Sequence, residues 1–324
     1  MKTPAIIRCL LLLAASASPA FSEDPTKAWT NPETVAKEDA DFLIQGEYGS
    51  ADMGVQVVAL GDGKFDAYVL EGGLPGLGWT REKSRTVLKG DKDSLKSGDG
   101  EISATIRDGE FFLKGADGKE TALPRIERRS PTLGAPAPDG AVVLFDGSSA
   151  DAWENGKMEN GLLLATGCTS KQTFAGYKLH LEFRTPYKPF ARGQQRGNSG
   201  IYHSGRWETQ VLDSFGLEAK DNEAGGIYSI SEPRLNMCLP PLAWQTYDVD
   251  FTASKFDAEG KRTAWPRITV KLNGVTVHED LELNKDFTTS APINSPLTSP
   301  DGPVFLQAHG NPVAYRNIWV VPGK

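Results

Sequence analysis

The sequence predicts an all-β protein, a C-terminal jelly-roll β-sandwich preceded by a small antiparallel β domain with one leading helix. Two observations carry this. From Ala141 onward, short segments alternate apolar and polar residues with almost no helical period between them: KLHLEFR (178–184), TYDVDF (246–251), ITVKL (268–272), VFLQAH (304–309) and YRNIWVV (315–321). Between such segments stand Gly61-Asp62-Gly63, Asp108-Gly109 and Asn273-Gly274, the residues that tight hairpins demand. Many short strands over roughly 180 residues indicate two packed sheets.

Residues 1–22 read as a secretory signal, with Lys2 and Arg8 at a basic start, an apolar run from Leu10 to Ala15, and small residues at Ser18, Pro19 and Ala20. The expectation is export to the periplasm or beyond. Cys9 precedes the apolar run, the wrong place for a lipid-anchored cysteine. No later stretch reaches the roughly 18 apolar residues of a membrane span. The net charge of −7 becomes −9 once Lys2 and Arg8 leave with the signal, which argues against nucleic acid or an anionic membrane surface as partner. Cys168 and Cys238 then remain, and an oxidising compartment permits either a bridge or two buried thiols.

Asn31 before Pro32 and Glu33 marks a helix start, and a helix of about 12 residues can run to Gln45, where Gly46 stops it. VQVVAL (55–60), FDAYVLE (65–71), EISATIRD and EFFLKG follow as strands. Residues 27–128 form this small β domain, of no assigned role. Residues 129–140, rich in Pro, Gly and Ala, are the linker, and 141–324 make the larger domain.

Residues 197–213, GNSGIYHSGRWETQVLD, describe two strands and a tight turn. Counting by twos puts Asn198, Gly200 and Tyr202 on one face and Ser199, Ile201 and His203 on the other; Glu208 and Gln210 oppose Trp207, Thr209 and Val211. A face of Asn, Tyr, Glu and Gln suits a polar, sugar-like ligand. In LQAHG the same alternation sets Gln307 and His309 together, and in LHLEFR it groups His180, Glu182 and Arg184. Strand order decides whether these faces meet.

Together, LFDG (144–147) with Trp153, LEFR (181–184), GNSGIY (197–202), ETQVLDS (208–214), GGIY (225–228), WQTYDV (244–249), LNG (272–274), LQAHG (306–310) and YRNIWV (315–320) resemble the 3-keto-disaccharide hydrolase family. Nine motifs in one order are specific where each alone is weak. The resemblance covers about 142–321. It implies a concanavalin A-like sandwich in an exported protein that cleaves 3-keto-glycosides, with a glycoside or oligosaccharide as ligand. Protein partners are unknown.

A ketone at C3 acidifies the C2 proton, so a base can remove it, the C1 substituent can leave, and water can add back. His309, whose ordinary pKa lies near 6.5, suits the base, and Glu208 the acid. Asn198, Tyr202, Gln210, Gln307 and Arg316 would hold hydroxyls and the enolate oxygen, with Tyr202 the stacking residue. Asp213 and Glu182 stand as supporting residues. Conventional hydrolysis by two carboxylates is the alternative, on comparison of Glu208 to Asp213 with the Glu-x-Asp-x-x-Glu strand of laminarinase-type sandwiches; the offset of five reverses the face unless a bulge intervenes. A non-catalytic carbohydrate-binding module, whose groove holds a glycan without chemistry, is the runner-up reading, and docking of the first domain to a partner or to the cell surface is a third. Each residue also has a plain role: Glu208 as a surface strand residue, His309 as structural, Arg316 in a cross-strand pair, Asp213 capping a loop. No cofactor is implied, and the chain lacks His-x-x-x-His, paired-Cys and calcium-loop spacings, though a structural or catalytic divalent cation stays open.

Overall fold

A computed structural model describes residues 24–323. The signal region with Lys2, Arg8 and Cys9 lies outside them. The described chain is all-β, one closed barrel followed by two larger antiparallel sheets and a small two-stranded one. No described helix is long and apolar enough to cross a membrane.

Asn31 caps the first helix, α1 (Pro32–Glu38), its side chain accepting from the backbone N–H groups of Glu33 (2.8 Å) and Thr34 (3.1 Å). The expected single helix to Gln45 is instead two. Asp39 is extended (φ −140°, ψ 105°) and its carboxylate caps α2 (Ala40–Ile44) by accepting from Asp41 N–H at 3.0 Å, so a second N-cap interrupts the first helix.

Eight strands then close a barrel: β1 (Gly46–Gly49), β2 (Met53–Gly61), β3 (Lys64–Glu71), β4 (Arg85–Asp91), β5 (Ser94–Lys96), β6 (Ser103–Arg107), β7 (Glu110–Lys114) and β8 (Glu120–Ile126). Pairing of Glu47 with Ile126 joins β8 back to β1. Asp108 and Gly109 turn with φ of 55° and 78°, the left-handed geometry a two-residue hairpin needs. Val55, Val57, Phe65, Leu88, Leu95, Phe111 and Leu123 fill the interior.

The second half contains β9 (Val142–Phe145), β10 (Trp153–Glu154), β11 (Met158–Glu159), β12 (Leu162–Leu164), β13 (Cys168–Phe174), β14 (Gly176–Arg184), β15 (Ser199–His203), β16 (Trp207–Val211), β17 (Gln245–Thr252), β18 (Lys255–Phe256), β19 (Arg262–Ala264), β20 (Arg267–Leu272), β21 (Val275–Glu282), β22 (Gly302–Leu306) and β23 (Ala314–Pro322). The smaller sheet runs β10-β13-β22-β15-β16 and the larger β11-β12-β23-β14-β17-β20-β21, with β9 on β23. Ile201, Trp207, Val211, Val304 and Leu306 from the small sheet share one core with Leu179, Leu181, Phe183, Tyr247 and Val249 from the large one. Each such side chain contributes about 1.5–3 kcal/mol on burial. Cys168 and Cys238 are buried free thiols.

Because those residues face inward, their strand neighbours face outward on opposite sides of the molecule. The outer face of the large sheet carries His180, Glu182 and Arg316, with Glu182 directly across from Arg316. The 129–140 segment lies on this face rather than hanging free. Thr132 Oγ1 donates to Asp248 (2.6 Å), Gly134 N–H donates to Glu182 (2.6 Å), and Ala135 O accepts from Asn317 (3.0 Å) and Trp319 (3.1 Å).

The barrel packs against the loop between β14 and β15. Trp29 and Tyr187 exchange backbone hydrogen bonds (3.0 and 2.9 Å), and Tyr187 joins the barrel-side core. Arg196 reaches Ala59 O (3.3 Å), and a Cβ on Gly61 would lie 2.3 Å from the Phe190 ring.

Candidate functional site

The face of the small sheet turned away from the core is polar. On β15, Gly200 and Tyr202 stand across from Gln210 and Glu208 of β16, as counting by twos predicts. Asn198 precedes β15 on the same face. Past the end of β22, Gln307 N–H donates to Gly200 O (2.9 Å), extending the ladder by one residue. Gly200 is the centre of this lattice, and the Glu208 carboxyl folds over it: a Cβ there would sit 2.1 Å from Glu208 Oε1. Only glycine leaves that space open.

Glu208 is 3 % exposed. Burial without a facing cation pushes its pKa up to about 8, the Tyr202 hydrogen bond only partly offsetting this. It is therefore a neutral acid at pH 7, able to give up a proton. Tyr202 Oη lies 2.9 Å from Glu208 Oε2, 3.0 Å from Thr289 O and 3.0 Å from Gln307 Nε2. The expectation that Tyr202 stacks on a ligand fails: its ring is fully buried, edge-on to Phe305 at 5.6 Å.

The amides are held from one side. Asn198 Nδ2 donates to Gln194 O (3.1 Å) and Oε1 (2.7 Å), and Gln210 Nε2 donates to the same Oε1 (3.3 Å). Asn198 Oδ1, Gln210 Oε1 and Gln307 Oε1 are buried with no donor among the described residues. Unsatisfied buried acceptors cost about 1–3 kcal/mol each, so three on one face are groups built to meet a ligand or water.

His309 does not share the strand alternation, because β22 ends at Leu306. It sits in an exposed loop, and among the described residues its side chain has no hydrogen bond or ion pair. Asn311 anchors that loop, donating to His309 O (3.0 Å) and accepting from Lys188 Nζ (2.7 Å) and Gly197 N–H (3.3 Å), next to Asn198. Lys188 is buried, and desolvation lowers its pKa.

Three expected residues lie elsewhere. Arg316 and Glu182 pair at 2.7 Å on the outer face of the large sheet. Burial opposes ionisation of Glu182, but His180, Asn317, Gly134 N–H and Arg316 together hold it at about 2. Asp213 follows the end of β16 and is buried against Arg196 (2.8 Å); burial raises its pKa and Arg196 opposes. The other carboxylate on the Glu208 face of this sheet, Glu154, stands at the opposite edge on β10, across Thr169, Phe305 and Tyr202, too far to share the site. His203 points into the core between Tyr177 (2.8 Å) and Thr209 (2.9 Å), and burial depresses its pKa to about 3. Among the described residues no three His, Cys, Asp or Glu side chains cluster as metal ligands.

Sequence reasoning missed Gln194, Thr288 and Thr289. Gln194 is four residues before Asn198 in a Gly-Gln-Gln turn, a local signal that could have found it. Thr288 and Thr289 arrive from about 80 residues away with no pattern of their own.

Residues 140–321 match the family described as a 3-keto-alpha-glucoside-1,2-lyase-like domain. No curated protein matches the chain. A solved structure from Parabacteroides distasonis, described as a "putative glycosyl hydrolase", is 32% identical with a TM-score of 0.53, covering 58% of this chain and 86% of its own. A second from the same organism, with the same description, is 15% identical at a TM-score of 0.41, over 57% of this chain and 95% of that one.

Proposed function

We propose, for a chain that belongs to the 3-keto-alpha-glucoside-1,2-lyase-like family, that the Glu208 face opens 3-keto-glycosides by elimination and rehydration in an exported protein. The observation that carries this is a buried, neutral Glu208 among three unpartnered amide oxygens. A base removes the C2 proton, whose acidity comes from the C3 ketone. The electron pair forms the C1–C2 double bond while the C1–O bond breaks. Glu208 gives its proton to the departing oxygen, water adds at C1, and C2 is reprotonated. The net result is hydrolysis, with no strong nucleophile required.

His309 is assigned the base, on the loop that Asn311 pins beside Asn198. Asn198, Gln210 and Gln307 accept from sugar hydroxyls, which a polyhydroxylated ligand can supply to all three. Two-carboxylate hydrolysis is disfavoured, since Asp213 is committed to Arg196 and stands beyond the strand.

The test is release of sugar from a 3-keto-glycoside. Glu208→Gln and His309→Ala should each lower kcat by about 10²- to 10⁴-fold. Undiminished turnover in either would remove that residue from the chemistry. Glycan binding without any product from oxidised or ordinary glycosides would make the domain a binding module.

A further inference from the structure

The 284–293 segment crosses the free edge of β16. Thr288 Oγ1 accepts from Glu208 N–H (3.0 Å) and donates to Arg206 O (3.0 Å), and Thr288 N–H donates to the same carbonyl (2.8 Å). Trp207 Nε1 donates to Lys285 O (2.7 Å), and Ile293 N–H donates to Gly205 O (3.1 Å). The segment is thus a strap seated on the hairpin that bears Glu208, and Thr289 O reaches the Tyr202 hydroxyl.

A tyrosine hydroxyl has one proton to give. Tyr202 Oη accepts from Gln307 Nε2, and two oxygens compete for its proton, Thr289 O and Glu208 Oε2. When Glu208 is neutral it can itself donate to Tyr202 Oη, and the tyrosine proton then goes to Thr289 O. When Glu208 is ionised the carboxylate accepts the tyrosine proton, as the stronger acceptor. Thr289 O then loses its partner.

We propose that Tyr202 is a positioning residue that ties the protonation state of Glu208 to the seating of the 284–293 strap. The neutral acid keeps the strap latched through Thr289, and proton loss releases that latch. Tyr202 is held above its ordinary pKa by burial and by the Glu208 charge, so it stays protonated throughout. The other ionisable groups facing the pair are the phenols of Tyr228 and Tyr315. On the strap itself, Lys285 is bound to Ser229 O and Asp286 to Arg262, away from Glu208. The catalytic meaning of the latch rests on the function proposed above, since the strap would loosen when Glu208 gives its proton to the leaving group. The coupling itself does not.

Hydrogen exchange of the full chain tests it, read by mass spectrometry on peptides covering 284–293 from pH 6 to pH 9.5 and corrected for intrinsic rates. Thr288 and Ile293 N–H are the reporters. Loss of one hydrogen bond should lower strap protection by about 2- to 10-fold as pH rises through the Glu208 value. In Glu208→Gln, whose amide can donate to Tyr202 at every pH, protection should stay high and flat. In Tyr202→Phe it should be low and flat. A flat profile in the parent, or the same step in Glu208→Gln, overturns the coupling; the glutamine variant decides alone if the phenylalanine variant fails to fold. Turnover plays no part in this readout, so a strap that responds in a protein without activity on 3-keto-glycosides would refute the proposed function and leave the coupling standing.

Discussion

Glu208 shows how much of a site lies in a single side chain and how much in its surroundings. Its place on the polar face was legible, because a period of two fixes the face of every residue in a hairpin. Its protonation was not, since it depends on burial and on the lack of a facing cation. Tyr202 was legible in position but not in role, since its burial and two of its three hydroxyl partners, Thr289 and Gln307, come from chain 87 and 105 residues away. A stability prediction follows at this scale. The folded pKa of Glu208 is raised, so the fold is undisturbed by it below about pH 4.5, where the group is neutral folded or unfolded. Between there and its folded value of about 8, the unfolded chain ionises first and stability is lost. Glu208→Gln should therefore be more stable than the parent at pH 8, by on the order of 3 kcal/mol, with the gap closing toward pH 5. Denaturant titrations at the two pH values check this; equal gaps would mean that Glu208 is ionised in the fold at pH 7.

At the scale of elements, strands were readable and their neighbours were not. LHLEFR and YRNIWVV were both recognised as strands, yet only their adjacency shows that Glu182 and Arg316 serve the outer face of the large sheet. Strand order depends on contacts far apart in sequence, which alternation does not encode. The same limit hid the fate of the Pro- and Gly-rich 129–140 segment, which Glu182, Asp248 and Asn317 hold against the sheet. The short helices failed for the opposite reason, a second cap at Asp39 inside one apparent helix. Arg316→Ala should then lower stability by about 1–2 kcal/mol, by removing a charged partner from buried Glu182. Affinity for a glycoside should not change. A thermal melt and a binding titration on one sample decide it, and lost affinity with an unchanged melt would return Arg316 to the ligand.

On the scale of the molecule, the barrel meets the two-sheet half at a packed junction. Arg196 joins Asp213 to Ala59 O of the barrel, and Phe190 fills the space that Gly61 leaves. In the sequence both residues flank Gln194, which holds Asn198 and Gln210. Phe190 belongs to neither main core, so Phe190→Ala should leave the chain folded. It should lower kcat/KM for a 3-keto-glycoside by about tenfold, equivalent to about 1.4 kcal/mol of lost positioning. Full activity in that variant would mean the barrel serves some other purpose. The all-β character was legible from alternation and turn chemistry, whereas closure of the first eight strands into a barrel was not, because nothing local distinguishes a last strand that pairs with the first. The capping of β16 has a further consequence for solubility. Glu208 N–H, Glu208 O, Gln210 N–H and Gln210 O are taken by Thr288, Tyr228, Gly226 and Gly225, so the strand beneath the site offers no bare backbone edge to another chain. A barrel has none by construction. The polar face can thus sit at the margin of its sheet without becoming a template for aggregation.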